Sequence, residues 1–131
     1  MQTHRLRKHA DYQLVYKSGR KQFAKQMGYF YTLRPALGAN GQPLRSDTTG
    51  PRVGLTVPKA LGNAVMRNRI KRRMREAVRH ALPQLTAPAD VILHPRKTVL
   101  EMDFQHLQRE VKTIFRSIQA ALDKSQSKPT P

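Results

Sequence analysis

The sequence predicts a single α/β (α+β) domain. Three observations lead there. A chain of 131 residues has room for one modest core and no second. Two stretches, 70–85 and 104–122, repeat apolar residues at the helical spacing of three and four. Three short runs, at 27–34, 52–57 and 89–94, are rich in β-formers, and no internal repeat is visible.

Taken in order, residues 6–18 carry Leu6, Ala10, Tyr12, Leu14, Val15 and Tyr16, and Gly19 follows as a helix stop, so a short first helix is expected. Lys8, Tyr12 and Tyr16 recur every four residues and share one stripe of it, where the tyrosines suit a core or a binding face equally. A short extra strand fits at 20–24. In 27–34 (MGYFYTLR) Tyr29, Tyr31 and Leu33 share one face of a strand and Phe30, Thr32 and Arg34 the other, and the sequence leaves open which face looks outward. Residues 36–50 mix Gly, Asn, Pro, Ser, Asp and Thr without a period and read as a mobile loop.

Within 52–57, Val53, Leu55 and Val57 oppose small Gly54 and Thr56, which leaves room for an incoming backbone on the second face. Pro58 ends that strand, and LGN at 61–63 supplies a turn and an N-cap for a long helix. Ile70, Met74, Ala77, Val78, Ala81, Leu82 and Leu85 form its inward stripe, and Pro83 frays its end. ADVILH at 89–94 is nearly all apolar, as in a strand buried on both faces. Asp103 is placed to cap a last helix bearing Phe104, Leu107, Val111, Ile114, Phe115, Ile118 and Leu122. Residues 123–131 are polar and Pro-containing, with too little apolar surface to offset ordering entropy. A single domain over 1–122 with a disordered tail is the resulting expectation.

Charge narrows the function. Lys and Arg number 25 against 8 Asp and Glu, a formal charge of +17. Such self-repulsion is more readily explained by a polyanionic partner than by solubility, and nucleic acid leads. An anionic membrane is the rival. No apolar run approaches the roughly 18 residues of a spanning helix, and the N-terminus lacks an apolar signal core, so a cytoplasmic protein without a membrane partner is expected. The absence of cysteine excludes disulfides and thiolate zinc sites.

The cations concentrate in RNRIKRRMREAVR at 67–79, where Arg67, Arg69, Lys71, Arg72, Arg73, Arg75 and Arg79 face one acid, Glu76. Asn68, Arg72, Arg75 and Arg79 line the face opposite the apolar stripe. An ordinary solvated face mixes its signs. Here like-charge pairs at i, i+4, such as Lys71 with Arg75, cost roughly 0.2–0.5 kcal/mol each, and cations near a helix N-terminus oppose the dipole. A sequence that accepts both penalties is using the cluster on an external anion. Arginine's planar fork engages phosphate through two hydrogen bonds, which suits a structured RNA backbone. DNA is less favoured, because no zinc-finger spacing, basic zipper or clear helix-turn-helix is present.

VGLTVPKALGNAVMRNRIKRRMREAVR, residues 53–79, closely resembles the signature region of the bacterial ribonuclease P protein family, with Arg67, Asn68 and Arg69 as its RNR core. LRKHADYQLVYKSGR at 6–20 is similar to the family's first helix, with tyrosine at both positions where phenylalanine is common, and ADVILHPRK with the final helix matches the later layout. The resemblance implies a two-layer sandwich with a mostly antiparallel sheet and one left-handed parallel β-α-β crossover, against the usual right hand. It implies the protein subunit of an RNA-based endoribonuclease that removes the 5′ leader of precursor tRNA, one protein per catalytic RNA. Arg67, Asn68, Arg69, Lys71, Arg72 and Arg75 then belong to the surface for the catalytic RNA. Lys8, Tyr12, Tyr16, Tyr29 and Tyr31 are the candidates for the single-stranded leader, which aromatic stacking plus backbone charge would bind with little base preference.

Hydrolytic equipment is not legible in the chain. Its eight acids are scattered without a paired motif, its five histidines show no ligand spacing, and no Walker or Rossmann glycines occur. No catalytic residue, metal site or protein-bound cofactor is therefore expected, and the resemblance assigns the required Mg2+ to the RNA subunit.

Overall fold

The structure, a computed structural model, describes residues 5, 6, 8–33 and 50–126. The elements run α1 (His9–Ser18), β1 (Arg20–Phe23), β2 (Met27–Leu33), β3 (Arg52–Leu55), α2 (Ala64–Ala81), β4 (Ala89–Pro95) and α3 (Phe104–Gln126). Short 3-10 turns occupy Lys59–Leu61, Leu82–Gln84 and Lys97–Leu100.

The strands form one sheet in the order β1-β2-β4-β3. β1 pairs with β2 and β2 with β4 antiparallel, whereas β3 and β4 are parallel neighbours joined by α2. The helix–strands–helix–strand–helix order is the one read from the residues, and the mixed, mostly antiparallel sheet is the one the resemblance implies. β4 is buried throughout apart from His94, as its apolar composition predicts for a central strand.

Pleating sorts the side chains by face. Met27, Tyr29 and Tyr31 of β2, Val53 of β3, and Ala89, Val91 and Leu93 of β4 join Ile70, Met74, Ala77 and Val78 of α2 and Leu107, Val111, Ile114, Phe115 and Ile118 of α3 in the main core. Sheet and α2–α3 pair are the two layers of the sandwich. On the other face a smaller cluster of Leu6, Val15 and Ile92, with Tyr12 and Phe30 packed against it, seats α1.

Local chemistry explains the boundaries. The Asn63 side chain accepts a 2.9 Å hydrogen bond from the Met66 N–H and so starts α2. Gly62 before it has φ 142°, a conformation that side chains disfavour. The missing donor of Pro83 converts the end of α2 into a 3-10 turn. α3 begins directly after Asp103, whose carbonyl accepts from the Leu107 N–H.

Four expectations are corrected. The first helix starts at His9 and not at residue 6, because Leu6 is drawn alongside β3, its N–H donating to the Val53 carbonyl at 3.0 Å. β3 stops at Leu55, two residues before Val57. The last helix continues to Gln126, so residues 123–126 of the expected tail are helical. Leu122 is 8% exposed, and the Gln119 amide donates to the Asp123 carboxylate at 2.9 Å, which carries the last turn onward. Finally, Tyr29 and Tyr31 face α2 and α3 and not the α1 side of the sheet. Arg34, most of the 36–50 loop and residues 127–131 lie outside the described residues.

Candidate nucleic-acid interface

Two surfaces meet along α1. The first is a groove of about 840 Å³ between the N-terminal segment, α1, β3 and α2. Tyr12 lines it from one side, and Asn68, Lys71, Arg72 and Arg75 line it from the other. Asn68, Arg72 and Arg75 are exposed, the arrangement that a helix with its apolar stripe turned inward produces.

Gly54 makes this groove possible. Any side chain there would collide with the Tyr12 hydroxyl, which donates to the Leu55 carbonyl at 3.5 Å. The room over Gly54, expected to admit a backbone, is instead filled by the Tyr12 side chain. Burial raises the Tyr12 pKa above its ordinary value, partly offset by the bond to Leu55. Tyr12 therefore stays neutral, with its side chain lining the groove.

One helical turn on, Tyr16 opens the second surface. Its ring meets Phe30 edge-to-face at 4.8 Å between centroids and lies 5.7 Å from His94. The Tyr16 hydroxyl is 3.1 Å from Thr56 Oγ1 and 3.0 Å from His94 Nε2. Phe30 and His94 are in turn 5.3 Å apart. Tyr16 is 38% exposed, so the cluster offers an open aromatic floor rather than a closed core. Burial, with the Lys21 charge second, holds His94 below its ordinary pKa, so the imidazole is neutral near pH 7 and can accept from Tyr16.

Beneath α1 lies a network of ions. Arg52 donates from Nε and a terminal nitrogen to the two carboxylate oxygens of Asp90, at 2.9 and 2.7 Å, and reaches Asp11 of α1 at 3.4 Å. The Asp90 side chain is only 3% exposed. The fork of Arg52 raises its own pKa, chiefly through the Asp90 bonds, and fastens α1 to β3 and β4.

The expected site residues therefore divide. Tyr12 gathers with Asn68, Lys71, Arg72 and Arg75, whereas Tyr16, one turn further along α1, lies with Phe30, Thr56 and His94. Arg67 bends back, its Nε donating to the Gly62 carbonyl at 3.1 Å, and so braces the turn before α2. Arg69 is exposed but does not line the groove. Lys8 is exposed at the start of α1, with extended backbone angles, and its carbonyl receives the Tyr12 N–H. Arg73, part of the same basic run, donates to the carbonyls of Val99 and Met102 and lies over the Phe104 ring, which makes it a bracket between α2 and α3. Tyr29 and Tyr31 stack on each other at 6.2 Å within the core.

Sequence reasoning left open whether Tyr29 or Phe30 faces the α1 side, and it missed His94, Thr56 and the Asp11–Arg52–Asp90 network. The strand alternation marks Phe30 as opposite in facing to Tyr29, and that signal selects it once α1 is known to cover its side. Among the described residues no group of three or more His, Asp or Glu gathers as a metal site, and no helix is long and apolar enough to cross a membrane.

The family described as Ribonuclease P matches residues 1–119. The chain is 37% identical over 112 residues to the ribonuclease P protein component of Bacillus velezensis, covering 86% of each. It is 36% identical over 113 residues to that of an Exiguobacterium species, covering 86% of this chain and 88% of the relative. Among solved structures it is similar to the RNase P protein of Staphylococcus aureus, with TM-score 0.68, 27% identity, and 88% and 95% of the two chains covered. The RNase P protein of Thermotoga maritima shares the fold, with TM-score 0.69 at 21% identity over 86% and 96% of the chains.

Proposed function

This chain belongs to the ribonuclease P protein family, and we propose that it binds the catalytic RNA through the exposed cations of α2 and the 5′ leader of precursor tRNA along α1 and the sheet. Membership makes it a protein component of an enzyme that processes tRNA. The observation that carries the finer reading is the shared groove. Tyr12 stands across from Asn68, Lys71, Arg72 and Arg75 there, and Tyr16, Phe30 and His94 continue the path as stacking surfaces.

In mechanism, the protein positions rather than cleaves. Arg72 and Arg75 neutralise phosphates, and their guanidinium forks fix the backbone in register. Tyr12 and Tyr16 offer π-faces that any base satisfies, so leaders of differing sequence bind alike. The ion network under α1 holds both rings at a set height over the sheet. Hydrolysis would take place on the RNA subunit, whose magnesium would supply the metal chemistry, in the cytoplasm and with one protein per RNA.

Cleavage of a precursor tRNA by the cognate catalytic RNA at low magnesium, with and without the protein, tests this reading. Protein-dependent cut at the mature 5′ end, and tighter binding of leadered than leaderless substrate, are the expected results. A generic RNA-binding protein would leave cleavage unchanged and bind both substrates equally.

A further inference from the structure

Strand β1 is one edge of the sheet, and its four residues are all exposed. Its alternation sends Lys21 and Phe23 to the α1 side, opposite Phe30 and Gly28 respectively. Phe23 is 67% exposed, a large apolar surface for a residue held in a regular strand. Its ring lies over Gly28, where a Cβ would stand 3.4 Å from two of its carbons. The Cδ1–Cε1 edge of the ring therefore rests against Gly28, while most of the ring surface stays open. The Lys21 ammonium lies 5.2 Å from the Phe23 centroid and 5.6 Å from that of Phe30, so a single charge serves both rings.

We propose that Lys21 and Phe23 form a further nucleotide-binding step for single-stranded RNA, Phe23 stacking a base beyond the Tyr16–Phe30 cluster and Lys21 neutralising the adjoining phosphate. The step extends the leader path and rests on the leader reading. Alternating aromatic and cationic groups along a rigid groove are the general equipment for an unpaired strand. The chain's charge of +17 opposes a cationic partner and favours a polyanion. Covering the Gly28 backbone is a purely structural role that an aliphatic side chain fills equally well, and the experiment separates the two.

The chain contains no tryptophan, so Phe23→Trp places a lone fluorophore at this step. The assembled ribonucleoprotein is titrated with precursor tRNAs of graded leader length and with a leaderless control. Emission should be quenched by long leaders and unmoved by leaderless tRNA. Phe23→Leu should weaken binding of the long leader about 5- to 10-fold, the lower part of the range for one stacked base, with leaderless affinity unchanged. Phe23→Trp should retain the affinity, and Lys21→Ala should reduce the salt slope by about 0.7.

Unquenched emission at saturating long leader, in a complex where Tyr16→Ala still weakens leader binding, would overturn this step and leave the leader reading standing. Should the wild-type complex bind leadered and leaderless substrates alike, the leader reading fails. An unstructured RNA oligonucleotide then decides: quenching supports a stacking platform at Phe23, and no quenching overturns it.

Discussion

Tyr29 and Tyr31 are 7% and 6% exposed inside the main core, whereas Tyr16, against the opposite face of the same sheet, is 38% exposed and Tyr12 lines a groove. The four rings share one chemistry. What separates them is the partner across the sheet: two long amphipathic helices pack over one face, and one ten-residue helix covers part of the other. Aromatic surface becomes available for binding where the covering layer is too small to bury it. β2 illustrates this within three residues, because Phe30 between the two core tyrosines reaches the open side.

The largest expected effect breaks the core side of the contrast. Tyr31→Ala should destabilise the fold by about 3 kcal/mol, as deletion of a buried ring does, read as a lower denaturation midpoint with unchanged slope. If stability held and only leader affinity fell, Tyr31 would belong to the binding face. Next comes the attachment of α1. Arg52→Ala removes the guanidinium that Asp11 and Asp90 share and should cost about 2–3 kcal/mol, since Asp90 is buried while Arg52 keeps some contact with water. Hydrogen exchange should then be accelerated in α1 before α2.

On the open side, Tyr16→Ala should cost less than about 1 kcal/mol of stability, because so much of the ring is in water, yet weaken leader binding about 5- to 30-fold. Equal losses in both measurements would erase the distinction between faces. The smallest effect concerns His94. Its folded pKa lies below the ordinary 6.5, so the unfolded chain takes up that proton first as pH falls. Stability contributed by neutral His94 is present above pH 6.5 and lost as pH drops toward the depressed folded value. Denaturation midpoints at about pH 7.5 and about pH 5.5 should differ less in His94→Asn than in the wild type.

Local signals made much of the fold legible. The LGN turn identifies Asn63 as the cap of α2, the apolar stripe of 104–122 identifies α3, and the apolar run of 89–94 identifies a central strand. Each depends on residues within one or two turns of chain. The site was legible in part: the cationic face of α2 follows from composition and period, but the fates of individual arginines do not. Arg67 and Arg73 spend their donors on the carbonyls of Gly62, Val99 and Met102. Arg73 finds its partners 26 and 29 residues away, which no local pattern encodes. The same holds for Arg52, whose acids lie 38 and 41 residues off in opposite directions. For β2, alternation separates Tyr29 from Phe30 but names neither as outward, because that assignment waits on the order of strands.

That order also sets a timetable for folding. β4 is the last strand to be made, yet it sits between β2 and β3 and pairs with both. Until it emerges from the ribosome, β2 and β3 have no common neighbour, and only the β1–β2 hairpin can form by local contacts. The arginine-rich helix, translated before β4, is therefore complete in sequence while the surface that buries its apolar stripe is still missing. A nascent chain halted there would present cations and uncovered apolar residues together to the surrounding ribosomal RNA, and that interval ends only once α3, which packs along α2, has followed β4.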